Sequence, residues 1–187
     1  MIRQATKEDA AEIVPLFNII LEEMELPALK TLSRTKLDLA LKYAFASSVC
    51  RTDFAKTIVA EVKGKIAGFA FGYPNEHEKK INQELVKFFP KVGFSPETQL
   101  FEDDECFKGE WYLDSIAVNP SFQRKGIGTQ LLNALPKIAK SNNKSCIGLN
   151  VDWENPAAEK LYRQLGFKKV GMTTLSQHKY NHLQKLI

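Results

Sequence analysis

Gln123-Arg124-Lys125-Gly126-Ile127-Gly128 stands between an extended apolar run, Trp111 to Val118, and a helical run, Thr129 to Ala139. A strand, a loop rich in backbone donors and a helix N-terminus in that order build an anion site. Glycine at 126 and 128 lets the backbone approach a ligand with no Cβ in the way. The free N–H groups of the first helical turn point at the ligand, and the helix dipole favours negative charge there. Arg124 and Lys125 add cationic side chains. A pyrophosphate is the natural occupant.

Gly-x-Gly alone is equally compatible with an ordinary strand-to-helix turn. The dinucleotide fingerprint needs a third glycine, where Leu131 stands. It also needs a tight turn directly after the strand, where Asn119 to Gln123 intervene. The Walker A loop needs Gly-Lys-Ser/Thr, which does not follow. The anion is therefore neither an NAD pyrophosphate nor a nucleoside triphosphate.

A second stretch narrows the reading. Ile147 to Val151 reads as a buried strand, followed by Asn155, Pro156, Leu161-Tyr162 and Leu165-Gly166-Phe167. Asn155 is a good N-cap and Pro156 suits the first helical position. Leu161 and Leu165 share a helical face, and Gly166 supplies the stop. Together, Val118…Gln123-x-x-Gly126-x-Gly128 and Asn155-x6-Tyr162-x3-Gly166-Phe167 resemble the GNAT superfamily of N-acetyltransferases. The resemblance is strongest from about residue 110 to 172, and Ile2 to Ala10 resembles the family's first strand and first helix.

The resemblance implies an α/β fold in the α+β sense. A central mixed, mostly antiparallel sheet is flanked by helices, and its strands 110–118 and 145–151 start side by side and then splay. It implies acetyl-CoA as cosubstrate, its pantetheine amides pairing with the backbone of Ile116, Ala117 and Val118 in the manner of an added strand. The pyrophosphate would sit at Gln123, Arg124, Lys125, Gly126, Ile127, Gly128 and Thr129. Asn155 matches a position that touches the cofactor and is equally explained as a cap. Tyr162 matches the family's general acid, and its competing role is a core tyrosine packed on the strands.

Acetyl transfer to an amine also needs a base, because a primary amine has a pKa of about 10 and its cation is no nucleophile. The branch that acetylates ribosomal-protein N-termini carries a glutamate where this chain has Asn150, which cannot take a proton. Glu110, Asp114 and Asp152 remain as candidates. Asp114 alternates with Tyr112 and Ile116 on its strand, so it shares one face with them.

The 187 residues fit one domain, 1–187, with residues 74–109 inserted between the third and fourth strands. The longest apolar run, Ile13 to Leu21, is too short to span a bilayer, and no secretory signal is visible. Cys50, Cys106 and Cys146 form neither a disulfide framework nor a metal site, so a reduced, cytoplasmic setting is expected. A net charge of +4, spread over both halves, does not argue for nucleic acid, and no nucleic-acid partner is expected. Helices are expected after Asp9, over Thr35 to Ala46 and over Glu78 to Phe89. Pro15 and Pro136 should delay, kink or break the helices that hold them. Lys63-Gly64-Lys65 signals a hairpin between Thr57–Val62 and Ile66–Tyr73, and the last strands fall near 167–173 and 175–183.

His178 and His182 lie four apart in a strand, a spacing that does not suggest zinc, and no metal is expected. The acidic run Glu102-Asp103-Asp104-Glu105 reads first as a solvated loop and second as an attractor for a cationic acceptor. The reading is an N-acetyltransferase, monomeric or homodimeric, acting on a small-molecule or peptide amine, with no membrane partner. Catalysis falls to Tyr162 and Asp114. The alternative is a non-catalytic acyl-CoA-binding or sensor domain on the same fold.

Overall fold

Lys63 and Gly64 take left-handed backbone angles, φ 51° and 74°. They turn strand β2 (Lys56–Val62) tightly into β3 (Lys65–Pro74), a geometry that matches the twist of the strands it joins. The remaining strands of the computed structural model, which describes residues 1–101 and 103–187, are β1 (Ile2–Gln4), β4 (Trp111–Val118), β5 (Cys146–Asp152), β6 (Lys168–Leu175) and β7 (His178–Leu186). They form one seven-stranded sheet in the order β1-β2-β3-β4-β5-β7-β6. Every neighbouring pair is antiparallel except β4 and β5. The fold is the expected mixed, mostly antiparallel sheet between helices. Glu102 of the acidic run lies outside the described residues.

The helices are α1 (Ala10–Glu23), α2 (Arg34–Ala46), α3 (Glu78–Val86), α4 (Ile127–Ser141) and α5 (Pro156–Gln164). One face of the sheet packs Phe69, Phe71, Tyr73, Tyr112 and Ala117 against α1 to α3. The other packs Trp111, Leu113, Ile147, Leu149 and Val151 against α4, with α5 beside it. Among the described residues no helix is long and apolar enough to cross a membrane.

Pro15 does not delay the start of its helix and Pro136 does not break its own, for tertiary reasons. Helix α1 starts at Ala10 and runs through Pro15. Pro15 is exposed, so the carbonyl it leaves without a donor can face water, while Ile13, Val14, Leu16 and Phe17 are buried. Helix α4 continues past Pro136 to Ser141. It buries Leu131, Leu132, Leu135 and Ala139, and three buried leucines at roughly 2 kcal/mol each outweigh a helical proline at ~3 kcal/mol. The helix expected over 78–89 ends at Val86, and a short 3₁₀ turn follows at Pro90–Val92. Phe88 and Phe89 are buried against the core under α1 to α3, with Phe94 and Phe101 packed beside them, so most of this segment's aromatic surface serves packing.

The strand expectation for Asp114 needs correcting too. The register between β3 and β4 passes from Phe71↔Ser115 to Gly72↔Leu113, leaving Asp114 as the extra residue of a β-bulge. Tyr112 and Ala117 then face the α1 side, whereas Leu113, Ile116 and Val118 face the α4 side. Asp114 therefore does not share a face with Ile116. Gly72 makes the bulge possible, since a Cβ there would overlap the Tyr112 carbonyl and the Trp111 ring.

Gly148 on β5 is required just as strictly, because a Cβ there would fall inside the Glu110 carboxylate. Gly148→Ala is expected to cost about 3 kcal/mol through overpacking. Gly64→Ala, with nothing within 4 Å of the added methyl, should cost only the left-handed strain of ~1 kcal/mol. Urea unfolding midpoints at an unchanged m-value measure both. Equal losses would show that Glu110 yields to the methyl.

Candidate active site

Strands β4 and β5 pair at only two positions, Trp111↔Ile147 and Tyr112↔Gly148. Beyond them β4 stays bonded to β3 and β5 to β7, so each strand keeps one satisfied edge and turns the other toward a gap. The gap is a cleft of about 260 Å³ that includes Ile116, Ala117, Val118, Gln123, Asn155 and Tyr162 in its walls. All six were named from the sequence.

The loop at one end of the cleft has the expected shape. The Asn119 side chain accepts from the Ser121 N–H at 3.0 Å. Arg124 and Gly126 adopt left-handed angles, φ 60° and 76°, and α4 begins at Ile127. The Gln130 N–H donates to the Gly126 carbonyl at 3.0 Å. The N–H groups of Gly126 to Thr129 before it meet no protein acceptor among the described residues, as a helix start requires. Gly126 is needed for its backbone angle, since a Cβ would meet nothing within 4 Å. Lys125 Nζ bonds the Ser121 carbonyl at 2.9 Å and Gln123 Nε2 the Val118 carbonyl at 3.3 Å. Both therefore brace the loop itself, and the exposed Arg124 is left facing outward.

Helix α5 carries the phenol. Asn155 Oδ1 accepts from the Ala158 N–H at 3.1 Å, with Pro156 in the first turn. At the other end Gly166, at φ 91°, lets its own N–H reach Arg163 O at 3.0 Å and that of Phe167 reach Tyr162 O at 3.1 Å, a Schellman stop. Tyr162 packs edge-on to Phe167, centroids 5.9 Å apart, and its hydroxyl has no hydrogen-bond partner among the described residues. Burial, with the Glu23 charge second, pushes this phenol up to about 12. It stays neutral and able to donate.

Carboxylates gather elsewhere in the cleft. Glu23, Glu105, Asp114 and Asp152 all line it, and among the described residues no Lys or Arg does. Asp114 accepts from Tyr73 OH at 2.8 Å and Ser115 Oγ at 2.5 Å, one on each oxygen. Burial raises its pKa against those two bonds. Glu105 accepts from Tyr112 OH at 2.7 Å. Burial, then the Asp114 charge, pushes it up to about 8. Asp152 sits 3.4 Å from His178 Nδ1.

The third candidate base, Glu110, is not in the cleft. It is fully buried behind Gly148, accepts from Phe107 N and Gln184 Nε2 at 2.7 and 2.8 Å, and has its Oε2 2.9 Å from His182 Nε2. His182 is equally buried, and its Nδ1 lies 2.6 Å from Asn150 Oδ1. Among the described residues no three His, Cys, Asp or Glu side chains are placed to hold a metal ion. The acidic run divides: Asp103 caps the Ser176 N–H at 2.9 Å, Asp104 is exposed, and Glu105 turns into the cleft. Sequence reading missed Glu23 and Tyr112 as cleft residues, because each carries only the local pattern of an amphipathic element.

This constellation of splayed strands, donor-rich loop and cleft phenol belongs to an acyltransferase. The acetyltransferase (GNAT) family model matches residues 16–167, and the chain belongs to that family. It is similar to the uncharacterized N-acetyltransferase YhfO of Bacillus subtilis (strain 168), 28% identical over 90% of this chain and 89% of that one. The [ribosomal protein bS18]-alanine N-acetyltransferase of Salmonella typhimurium is 32% identical over 52% of this chain and 61% of its own. Among solved structures, one described as an acetyltransferase has a TM-score of 0.88 and 44% identity, covering 100% of this chain and 99% of the other. An N-acetyltransferase from Staphylococcus aureus Mu50 has a TM-score of 0.83 and 30% identity over 98% and 99%.

The cap at Asn155 can be tested without any ligand. Asn155→Ala is expected to lower stability by about 1 kcal/mol, while Asn155→Asp, which keeps an acceptor for the Ala158 N–H, loses only a small fraction of that. Thermal unfolding followed by circular dichroism reads the difference.

Proposed function

We propose that this enzyme moves the acetyl group of acetyl-CoA directly to a primary amine of a small molecule or peptide, with Tyr162 as general acid. The observation that carries the reading is the parting of β4 from β5 beside a phenol with no hydrogen-bond partner among the described residues. The free edge of Ile116, Ala117 and Val118 suits the pantetheine amides, which would replace the missing strand. The N–H groups at Gly126, Ile127, Gly128 and Thr129, with Arg124 outside them, suit the pyrophosphate. Lys125 and Gln123 hold that loop in shape, and Asn155 fixes the start of α5. The acceptor would enter at the carboxylate-lined part, where Asp114, with both oxygens already bonded, supplies negative charge to a cationic amine. A relative named for acetylating an alanine of a ribosomal protein makes a peptide amine one natural class to try. We take residues 1–187 as one acetyltransferase domain with 74–109 as an insertion. Its three free thiols, Cys50, Cys106 and Cys146, suit a cytoplasmic setting.

In the reaction the amine lone pair attacks the thioester carbon, the C–S bond breaks, and sulfur takes the phenol proton of Tyr162. A phenol held neutral by burial suits that step. Tyr162→Phe should lower kcat with an accepted amine by ~10²- to 10⁴-fold and leave acetyl-CoA affinity within a few-fold by calorimetry. Undiminished kcat would remove Tyr162 from the chemistry. Arg124→Glu should weaken acetyl-CoA binding about tenfold at low ionic strength and by less at 1 M salt, where charges are screened within ~3 Å. A panel of polyamines, amino acids, aminoglycosides and short peptides identifies the acceptor by acetyl-CoA consumption. Tight acetyl-CoA binding with no consumption across the panel would favour the sensor reading.

A further inference from the structure

Glu105 is held from three elements at once. Its backbone N–H donates to Glu78 Oε1 of α3 at 2.7 Å. Its carbonyl accepts from Asn150 Nδ2 of β5 at 3.0 Å. Its Oε2 accepts from Tyr112 OH of β4 at 2.7 Å. Its Oε1 has no hydrogen-bond partner among the described residues, and the side chain lines the cleft. Tyr112 is the last residue of β4 still opposite β5, so this carboxylate stands where the strands part. Asp114 differs in having a donor on each oxygen.

The amide of Asn150 is oriented by the same contacts. Its nitrogen must face the Glu105 carbonyl, so its oxygen faces His182, and His182 Nδ1 must carry a hydrogen. The other ring nitrogen meets Glu110 Oε2 at 2.9 Å, and Phe107 stacks on the ring with centroids 3.7 Å apart. Asn150 Nδ2 also donates to Tyr112 OH at 3.1 Å, which directs the phenol's own hydrogen to Glu105. A buried chain from Glu110 through His182 and Asn150 thus ends on the two atoms that aim Glu105.

We propose that Glu105 is the base that takes the proton from the acceptor ammonium, with Tyr112, Asn150, His182 and Glu110 as positioning residues. This rests on the acetyl-transfer reading above. The ammonium gives one proton to Oε1 and becomes the neutral nucleophile. Its nitrogen bonds the acetyl carbon, the C–S bond breaks with its electron pair on sulfur, and Tyr162 protonates that sulfur. The second amine proton returns to Tyr162 through solvent, and Glu105 releases its own to solvent. The ionisable groups facing Glu105 are Tyr73 on β3, Glu78 on α3, Tyr112 and Asp114 on β4, Tyr180 on β7, and Asp103 on its own segment. None is a cation, so burial and like charge raise its proton affinity toward that of an amine, as a base for this step requires.

The test compares pH profiles of kcat/KM for the amine that the panel selects. The wild type should rise with pH and level off near 8, as Glu105 ionises. Glu105→Gln keeps an acceptor for Tyr112 OH and cannot take a proton. It must use amine that is already neutral, so its rate should be ~10²-fold lower or more at pH 8 and climb tenfold per pH unit toward about 10. Its acetyl-CoA affinity should match wild type within a few-fold, which shows the cleft intact. Glu105→Asp should restore part of the plateau. Tyr112→Phe removes a bond that favours the ionised carboxylate, so the plateau should begin at higher pH. Coincident profiles for wild type and Glu105→Gln, or a lowered rate with the wild-type profile shape, would overturn the proposal. An unmoved plateau in Tyr112→Phe would overturn the positioning role. A wild type that consumes acetyl-CoA with no amine at all would overturn the acetyl-transfer reading and this one together, whereas turnover undiminished in Glu105→Gln would overturn this one alone.

Discussion

A sheet that opens between two neighbouring strands must be braced on both outer sides, and that constraint organises this molecule. Strand β4 is fastened to β3 over Trp111 to Val118, and β5 to β7 over Cys146 to Asp152, while β4 and β5 share two residue pairs. The backbone groups that turn toward the gap are satisfied by water or by a ligand, because unpaired buried amides are costly. A strand-like ligand with amides of its own therefore gains hydrogen bonds that the protein leaves unmade. The bulge at Asp114 sits within the opened stretch of β4 and changes which residues face which helices. It directs Tyr112 to one side of the sheet and Ile116 and Val118 to the other.

The α4 start and the cleft walls differ in sign. Around the first lie N–H groups with no protein acceptor among the described residues and the exposed Arg124. The walls carry Glu23, Glu105, Asp114 and Asp152. A helix terminus favours an anion, and a carboxylate-lined wall favours a cation. Raised carboxyl pKa values at Glu23, Glu105 and Asp114 share a first cause, burial, and the crowding of like charges adds to it. A bound ammonium would relieve that repulsion.

Features set by a few neighbouring residues were legible in the sequence. The left-handed turns at Lys63-Gly64 and Gly126, the Asn155 cap and the Gly166 stop all follow from local backbone chemistry, and with them the loop and phenol of the site. Features set by tertiary partners were not. Pro15 and Pro136 are tolerated because of which side of each helix is buried. The alternation that placed Asp114 with Ile116 assumed an unbroken strand, and Gly72, far away in sequence, breaks it. The pairing of Glu110 with His182 spans 72 residues, and no local pattern announces it. The acidic run looked uniform, yet Asp103, Asp104 and Glu105 have three different surroundings.

The segment between β3 and β4 shows how a connection can be rigid enough to carry chemistry. Phe88 and Phe89 anchor its first part in the core beneath α1 to α3. Phe107 lies flat on His182, and Glu110 is locked behind Gly148 by its contacts with Phe107, His182 and Gln184. Glu78, itself nearly buried, holds the backbone of Glu105 and Cys106 between those anchors. Loops commonly vary in substrate recognition because a fixed scaffold presents them, but here the described part around Glu105 is tied into the scaffold itself. Precision at a reacting group depends on supports whose own rotamers are locked. Glu105, Phe107 and Glu110 meet that condition through stacking and hydrogen bonds, so this part of the cleft wall is a fixed frame on which single side chains can be exchanged.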